Sequence, residues 1–214
     1  MTAPAIVMTY NQDLAAKAGG GEYLQQGGAH ICEITEAKYV TAGTGSSGLQ
    51  FSVKTDDGLK GNYINVYYSK APAVKGQAGE PITGGASILQ AMMGVLRVER
   101  ITAVKDGEGW ICPEFTGKKI GLFLQKKLTT KNDGSDSYGF EIKVPFNHID
   151  KKTMREILSN TPAQTIDRMS ANYKDNDERK AQSGSAGQVQ SAGFGGGYDS
   201  YPEAGGSGFG GFGG

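Results

Sequence analysis

LQFSVKTDDGLKGNYINVYY, residues 49–68, is the stretch that decides the fold. Leu49, Phe51 and Val53 alternate with Gln50, Ser52 and Lys54, the period of two that gives a strand one apolar and one polar face. Asp57-Gly58 follows, and such a pair marks a hairpin turn because glycine meets the positive φ at little cost. The returning arm, Gly61–Lys70, alternates again, with Ile64, Val66 and Tyr68 on one face and Tyr63, Asn65 and Tyr67 on the other. Two amphipathic arms around a turn predict a hairpin buried on one side.

Working outward, HICEITEAKYVTA (residues 30–42) is rich in β-branched and aromatic residues and predicts a first strand from Ala29. Residues 1–28 before it read as a loosely ordered arm, with a short helical stretch at Asp13–Ala18 stopped by Gly19, Gly20 and Gly21. On the other side, a Pro/Gly loop, Ala71–Gly85, leads to Ile88, Leu89, Met92, Met93 and Leu96 at helical spacing, with Ser87 placed to cap them. Lys119–Leu128 sets Ile120, Leu122 and Leu124 against Lys119, Gly121, Phe123, Gln125 and Lys127. Ser137–Val144 places Tyr138, Phe140, Ile142 and Val144 on one face, after a polar loop, TTKNDGSDS. Two short helices close the body. Asp150 caps the first, with Met154, Ile157 and Leu158 as its stripe; Pro162 opens the second, with Ile166, Met169 and Tyr173 inward. Five strands with a helix between the third and fourth is the order of the OB fold. The expectation is a mainly β chain: a five-stranded OB-fold barrel over residues 29–180, with terminal helices and a disordered tail over residues 183–214.

The tail stands apart in composition. Thirteen of the 34 glycines fall within Ser183–Gly214. Phe194, Tyr198, Tyr201, Phe209 and Phe212 are spaced by Gly and Ser. Such a segment buries too little surface to offset chain entropy and is expected to remain disordered. Its aromatics are candidate stickers for partners or other tails, against the plainer reading of a solubilising tail. It lacks Arg and is not an RGG-type RNA-binding segment.

Formal net charge is zero, but the tail holds Asp199 and Glu203 without a basic residue, which leaves the body at +2. Lys118, Lys119, Lys126, Lys127 and Lys131 cluster with no acid between them. They form either a solvated face or a local basic groove. Cys32 and Cys112 are too few and too far apart for a disulfide framework or a zinc site and read as small buried hydrophobes. No run of about 18 apolar residues exists and no signal-peptide pattern opens the chain, so a cytoplasmic protein without a membrane partner is expected.

Catalytic motifs are missing. Gly43-Thr44-Gly45-Ser46-Ser47-Gly48 fits a dinucleotide loop in letters, yet a strand pattern follows it where the phosphate-binding mechanism needs a helix. His30 and His148 have no motif partner. No catalytic residue, cofactor or metal is expected. The polar hairpin face is the better candidate: Gln50, Ser52 and Lys54 beside Tyr63, Asn65 and Tyr67, extended by Lys119, Phe123, Gln125, Lys127 and Lys131. Rings stack on bases, lysines follow phosphates and amides reach base edges, as sequence-tolerant single-strand binding requires. The competing reading is a set of ordinary half-exposed strand tyrosines.

The segments GGAHICEITEAKYV, LQFSVKTDDGLKGNYINVYY, SILQAMMGVL, GKKIGLFLQKKLTT, YGFEIKVPFN and EILSNTPAQTIDRM, in this order, resemble the OB-fold single-stranded DNA-binding proteins of tailed bacteriophages. The resemblance spans about Gly27 to Met169. It implies non-specific single-stranded DNA binding in phage replication or recombination, in the host cytoplasm. Lys54, Tyr63, Asn65, Tyr67, Phe123 and Lys127 become the implied DNA contacts. The glycine-aromatic tail departs from the acidic tails through which many such proteins recruit replication partners. Two alternatives are a single-stranded RNA binder and a scaffold that self-associates through the tail.

Overall fold

Five long strands carry the body: β1 (Gly28–Thr41), β2 (Ser47–Thr55), β3 (Lys60–Ser69), β6 (Lys119–Thr130) and β7 (Asp136–Phe146). The short strands β4 (Val104–Asp106), β5 (Gly109–Ile111) and β8 (Asn176–Asp177) complete the sheet. The helices are α1 (Thr83–Leu96), α2 (Met154–Leu158) and α3 (Thr165–Ala171). This computed structural model describes Thr9, residues 23–74 and residues 77–179. The chain divides into two units, Met1–Lys180 and Ala181–Gly214. The helical stretch expected at Asp13–Ala18 and the tail from Ser183 lie outside the described residues. No helix among the described residues is long and apolar enough to cross a membrane.

Backbone pairing runs β3-β2-β1-β6-β7, antiparallel throughout. β1 is shared: Gly28–Glu33 pairs with β6, while Cys32–Thr41 pairs with β2. A bulge between Ile34 and Glu36 bends it between these partners. The hairpin of β2 and β3 forms as its alternation predicts, and Gly58 in the turn takes φ +89°. After Gly43–Gly48 the chain enters β2 and not a helix, which removes the dinucleotide mechanism.

The path does not close. β3 and β7, its ends, come within 8 Å between Cα atoms, but no ladder joins them among the described residues. The expected five-stranded barrel is therefore corrected to an open, mainly antiparallel sheet of eight strands. The cause is visible along β3. At one end the Leu24 N–H donates to the Lys60 carbonyl at 2.9 Å. At the other, the Ile82 N–H donates to the Tyr68 carbonyl at 2.9 Å and the Lys70 N–H to the Glu80 carbonyl at 2.8 Å. α1 then lies against both β3 and β7. Its first turn comes so close that a Cβ on Gly85 would sit 1.8 Å from the Tyr67 carbonyl oxygen. Among the described residues, only the middle of the β3 edge is left open.

The main core lies inside the curl of the sheet, where Ile34, Leu49, Phe51, Ile64, Met92, Phe115, Ile120, Leu122 and Leu124 are all buried. Phe51 and Phe115 meet edge to face at 5.6 Å. Cys32 and Cys112 are buried free thiols, and burial pushes both up to about 12. A second cluster forms on the other side of β6, where Phe123, Phe146 and Ile166 pack with Ile31, Val144, Met169 and Tyr173.

Several local expectations are corrected. The arm is anchored at its end, since Leu24 is buried in the core. α1 starts at Thr83, so Ser87 lies inside the helix and caps nothing. Thr153, not Asp150, caps α2: its hydroxyl accepts from the Glu156 N–H, and the Glu156 carboxylate accepts from the Thr153 N–H. Glu156 is the buried residue of α2, whereas Leu158 is 77% exposed and Ile157 also faces solvent.

Candidate functional site

The open middle of the β3 edge forms one wall of a groove of about 590 Å³, and β7 forms the other. Tyr63, Asn65 and Tyr67 line the β3 side. Tyr138, Phe140, Glu141 and Lys143 line the β7 side, with Lys127 and Thr129 of β6 at the rim and Gly85 and Ile88 of α1 at the end. A smaller recess of about 290 Å³ shares Tyr63, Tyr138 and Phe140 and continues past Tyr23, Leu24 and Lys60.

The rings are presented in different ways. Tyr63 is 75% exposed and has φ +60°, inside a register shift between β2 and β3. A bulky residue in this region is a backbone outlier, and a bulge re-aims the side chain it carries. The bulge turns the Tyr63 ring out while Ile64 and Val66 remain buried. Tyr138 is held on three sides: its ring meets Phe140 edge to face at 5.8 Å, Lys126 Nζ stands 4.8 Å from its centroid, and its hydroxyl donates to the Leu24 carbonyl at 3.3 Å. Asn65 is oriented across the hairpin, its Oδ1 accepting from Gln50 Nε2 at 3.0 Å.

Replacing Tyr63 by glycine is expected to leave stability unchanged or raise it by up to about 1 kcal/mol, because relief of the positive φ offsets glycine's chain entropy. Urea denaturation checks this. A loss larger than that would mean that contacts of the ring hold the strand in place.

The other sequence-predicted residues separate. Ser52 and Lys54 stand opposite Glu36 and Glu33 of β1, so the β2 part of the face carries acids beside its lysine. Lys119 is bound to Asp56 at 2.8 Å, far along β6 from the groove. Phe123 is corrected: it is 3% exposed, packed under Ile166, Met169 and Tyr173, and it does not line the β3–β7 groove. Its burial contributes about 1.5–3 kcal/mol to folding. Gln125 donates to the Lys174 carbonyl at 3.3 Å beneath the same cover. Lys131 is exposed in the β6–β7 turn. Lys127 reaches the groove, but Glu178 at 2.8 Å and Glu141 at 3.7 Å hold it, and the Glu178 contact raises its pKa. The basic run is thus split along β6 and partly neutralised. Phe194, Tyr198, Tyr201, Phe209 and Phe212 lie outside the described residues.

Tyr138, Phe140 and Lys143 were not among the sequence-predicted contacts, because period two assigns Tyr138 and Phe140 to the core. Ile142 is buried in the main core and Phe140 packs against it, so that face holds as far as Ile142; the bulge between Ile142 and Val144 turns Val144 to the second cluster instead. Among the described residues no group of three His, Cys, Asp or Glu side chains could hold a metal ion. The groove offers stacking faces, one amide and two lysines that share the Glu141 carboxylate. No protein-family model matches the chain, and no curated protein matches it at a significant level of sequence similarity.

Proposed function

We propose that the chain is a non-catalytic, sequence-tolerant single-stranded DNA-binding protein whose contact surface is the β3–β7 groove. One observation carries this reading. Three tyrosines and a phenylalanine, interleaved with Asn65, Lys127 and Lys143, line one open groove. Stacking on such rings is indifferent to base identity, and lysines at the rim follow a phosphate backbone. The order of the long strands and α1 supports an OB-type architecture, in which the faces of the second and third strands and the neighbouring loops bind oligonucleotides. Lys131, in the β6–β7 turn, extends the surface in that architecture. A role in phage replication or recombination follows from the sequence resemblance.

The test is anisotropy of labelled oligo-dT, matched RNA and matched duplex titrated with the full chain. A dissociation constant of about micromolar or tighter is expected for oligo-dT. Duplex should bind more weakly, and log K should fall linearly with log salt. Equal affinity for duplex would overturn the reading, and preference for the RNA oligomer would turn it to an RNA binder. The label belongs on the oligomer, because the only tryptophan, Trp110, lies on β5 and does not line the groove.

A further inference from the structure

Lys143 lines three depressions, one of them a hollow of about 220 Å³ shared with Gln125, Tyr173 and Lys174. Beyond the β3–β7 groove it also borders a cleft of about 300 Å³ between α1, β7, α2 and α3. The floor of this cleft is apolar, with Ile88 of α1, Val144 and Pro145 of β7 and Met154 of α2; Arg155 and Arg168 line it as well.

The two arginines differ from the cations of the body that are tied to carboxylates. Lys119, Lys127 and Arg179 are each held by a carboxylate within 3 Å. Arg155 and Arg168 are exposed, and neither guanidinium makes a hydrogen bond or ion pair with the described residues. They are nonetheless fixed in relation to each other. α2 and α3 have five and seven residues, too few to be stable alone. The buried Glu156 carboxylate joins them, accepting from the Thr153 N–H and hydroxyl on one oxygen. Its other oxygen accepts from the Gln164 N–H, the Thr165 N–H and the Thr165 hydroxyl. Arg155 precedes this residue, and Arg168 stands one turn into the helix that it anchors.

We infer that a single strand leaving the β3–β7 groove crosses Lys143 and continues over this cleft, its phosphates on Arg155 and Arg168 and a base against the apolar floor. Unpaired guanidinium groups match phosphate oxygens bidentately, and continuity through Lys143 supplies the path. The inference rests on the single-strand reading above and extends it to a second, helical segment of the site.

Two oligomers test it, one of about six nucleotides and one of about twenty, which bracket the usual span of one such domain. For Arg155→Ala/Arg168→Ala, affinity for the short oligomer should stay within about twofold of wild type. Affinity for the long one should fall about tenfold, with the salt slope reduced by about 1.4, or 0.7 for each lost phosphate contact. Neither guanidinium has a partner among the described residues, so the melting temperature should not move. Equal losses for both lengths, or no loss for the long oligomer, would overturn the path while leaving the groove reading intact. If wild type binds neither oligomer, the groove reading fails and the path fails with it.

Discussion

Replacing Tyr63 and Tyr138 together by alanine is expected to weaken oligo-dT binding at least about 30-fold, since each stacked base contributes about 1–3 kcal/mol. These two rings are chosen because they border both the main groove and its extension. They are also among the more exposed large side chains, at 75% and 40%, so truncation removes little from the core. The salt dependence should be unchanged, because no phosphate contact is removed. Anisotropy at two salt concentrations measures both quantities. An affinity within threefold of wild type would show that the strand does not stack in this groove.

Substituting Glu156 by glutamine should cost about 3 kcal/mol at neutral pH, as the amide nitrogen replaces an oxygen that faces only donors. Burial alone would raise the Glu156 pKa, but N–H groups of Thr153, Gln164 and Thr165 and the Thr165 hydroxyl outweigh it and hold the group at about 2. The sign of the pH effect follows from that depression. The folded value lies below the ordinary 4.5, so the stabilisation is complete above about pH 4.5 and is lost as pH falls towards 2. Wild type should therefore lose its advantage over Glu156→Gln across that window. Thermal melts at neutral pH and near pH 2.5 make the comparison; a gap that does not narrow would mean that ionisation of this carboxyl is not what holds the two helices.

Much of this architecture can be read from alternation, and it fails at identifiable places. Ile120, Leu122 and Leu124 were legible as core because period two holds along β6. Phe123 was misread, since alternation assumes that one face of the strand meets water. The unbroken run Ile120–Leu124, with only glycine and phenylalanine between the aliphatics, signals a strand covered on both faces. Thr153-Met154-Arg155-Glu156 is a capping-box spacing that the nearer Asp150 concealed. Asp106-Gly107, in the tight turn between β4 and β5, carried the same hairpin signal as Asp57-Gly58. The start of α1 was hidden because Gly84 and Gly85 look like helix breakers, while close approach to the Tyr67 carbonyl requires a residue without Cβ at Gly85. In the groove, Tyr63, Asn65 and Tyr67 were legible, but Tyr138 lies on the strand face that period two gives to the core, and Lys143 sits in a bulge that leaves no mark in composition.

The unpaired seam between β3 and β7 also sets how the protein yields mechanically. Separating any two paired strands of the path breaks a row of backbone bonds, but among the described residues no such row joins this seam. Its stiffness comes from α1 lying against both strands and from the Tyr138 hydroxyl, which ties β7 to Leu24 beside β3. On the proposed reading, purines and pyrimidines differ in size but meet a jaw of adjustable gape, so tolerance of base identity is a property of the missing ladder as much as of the rings.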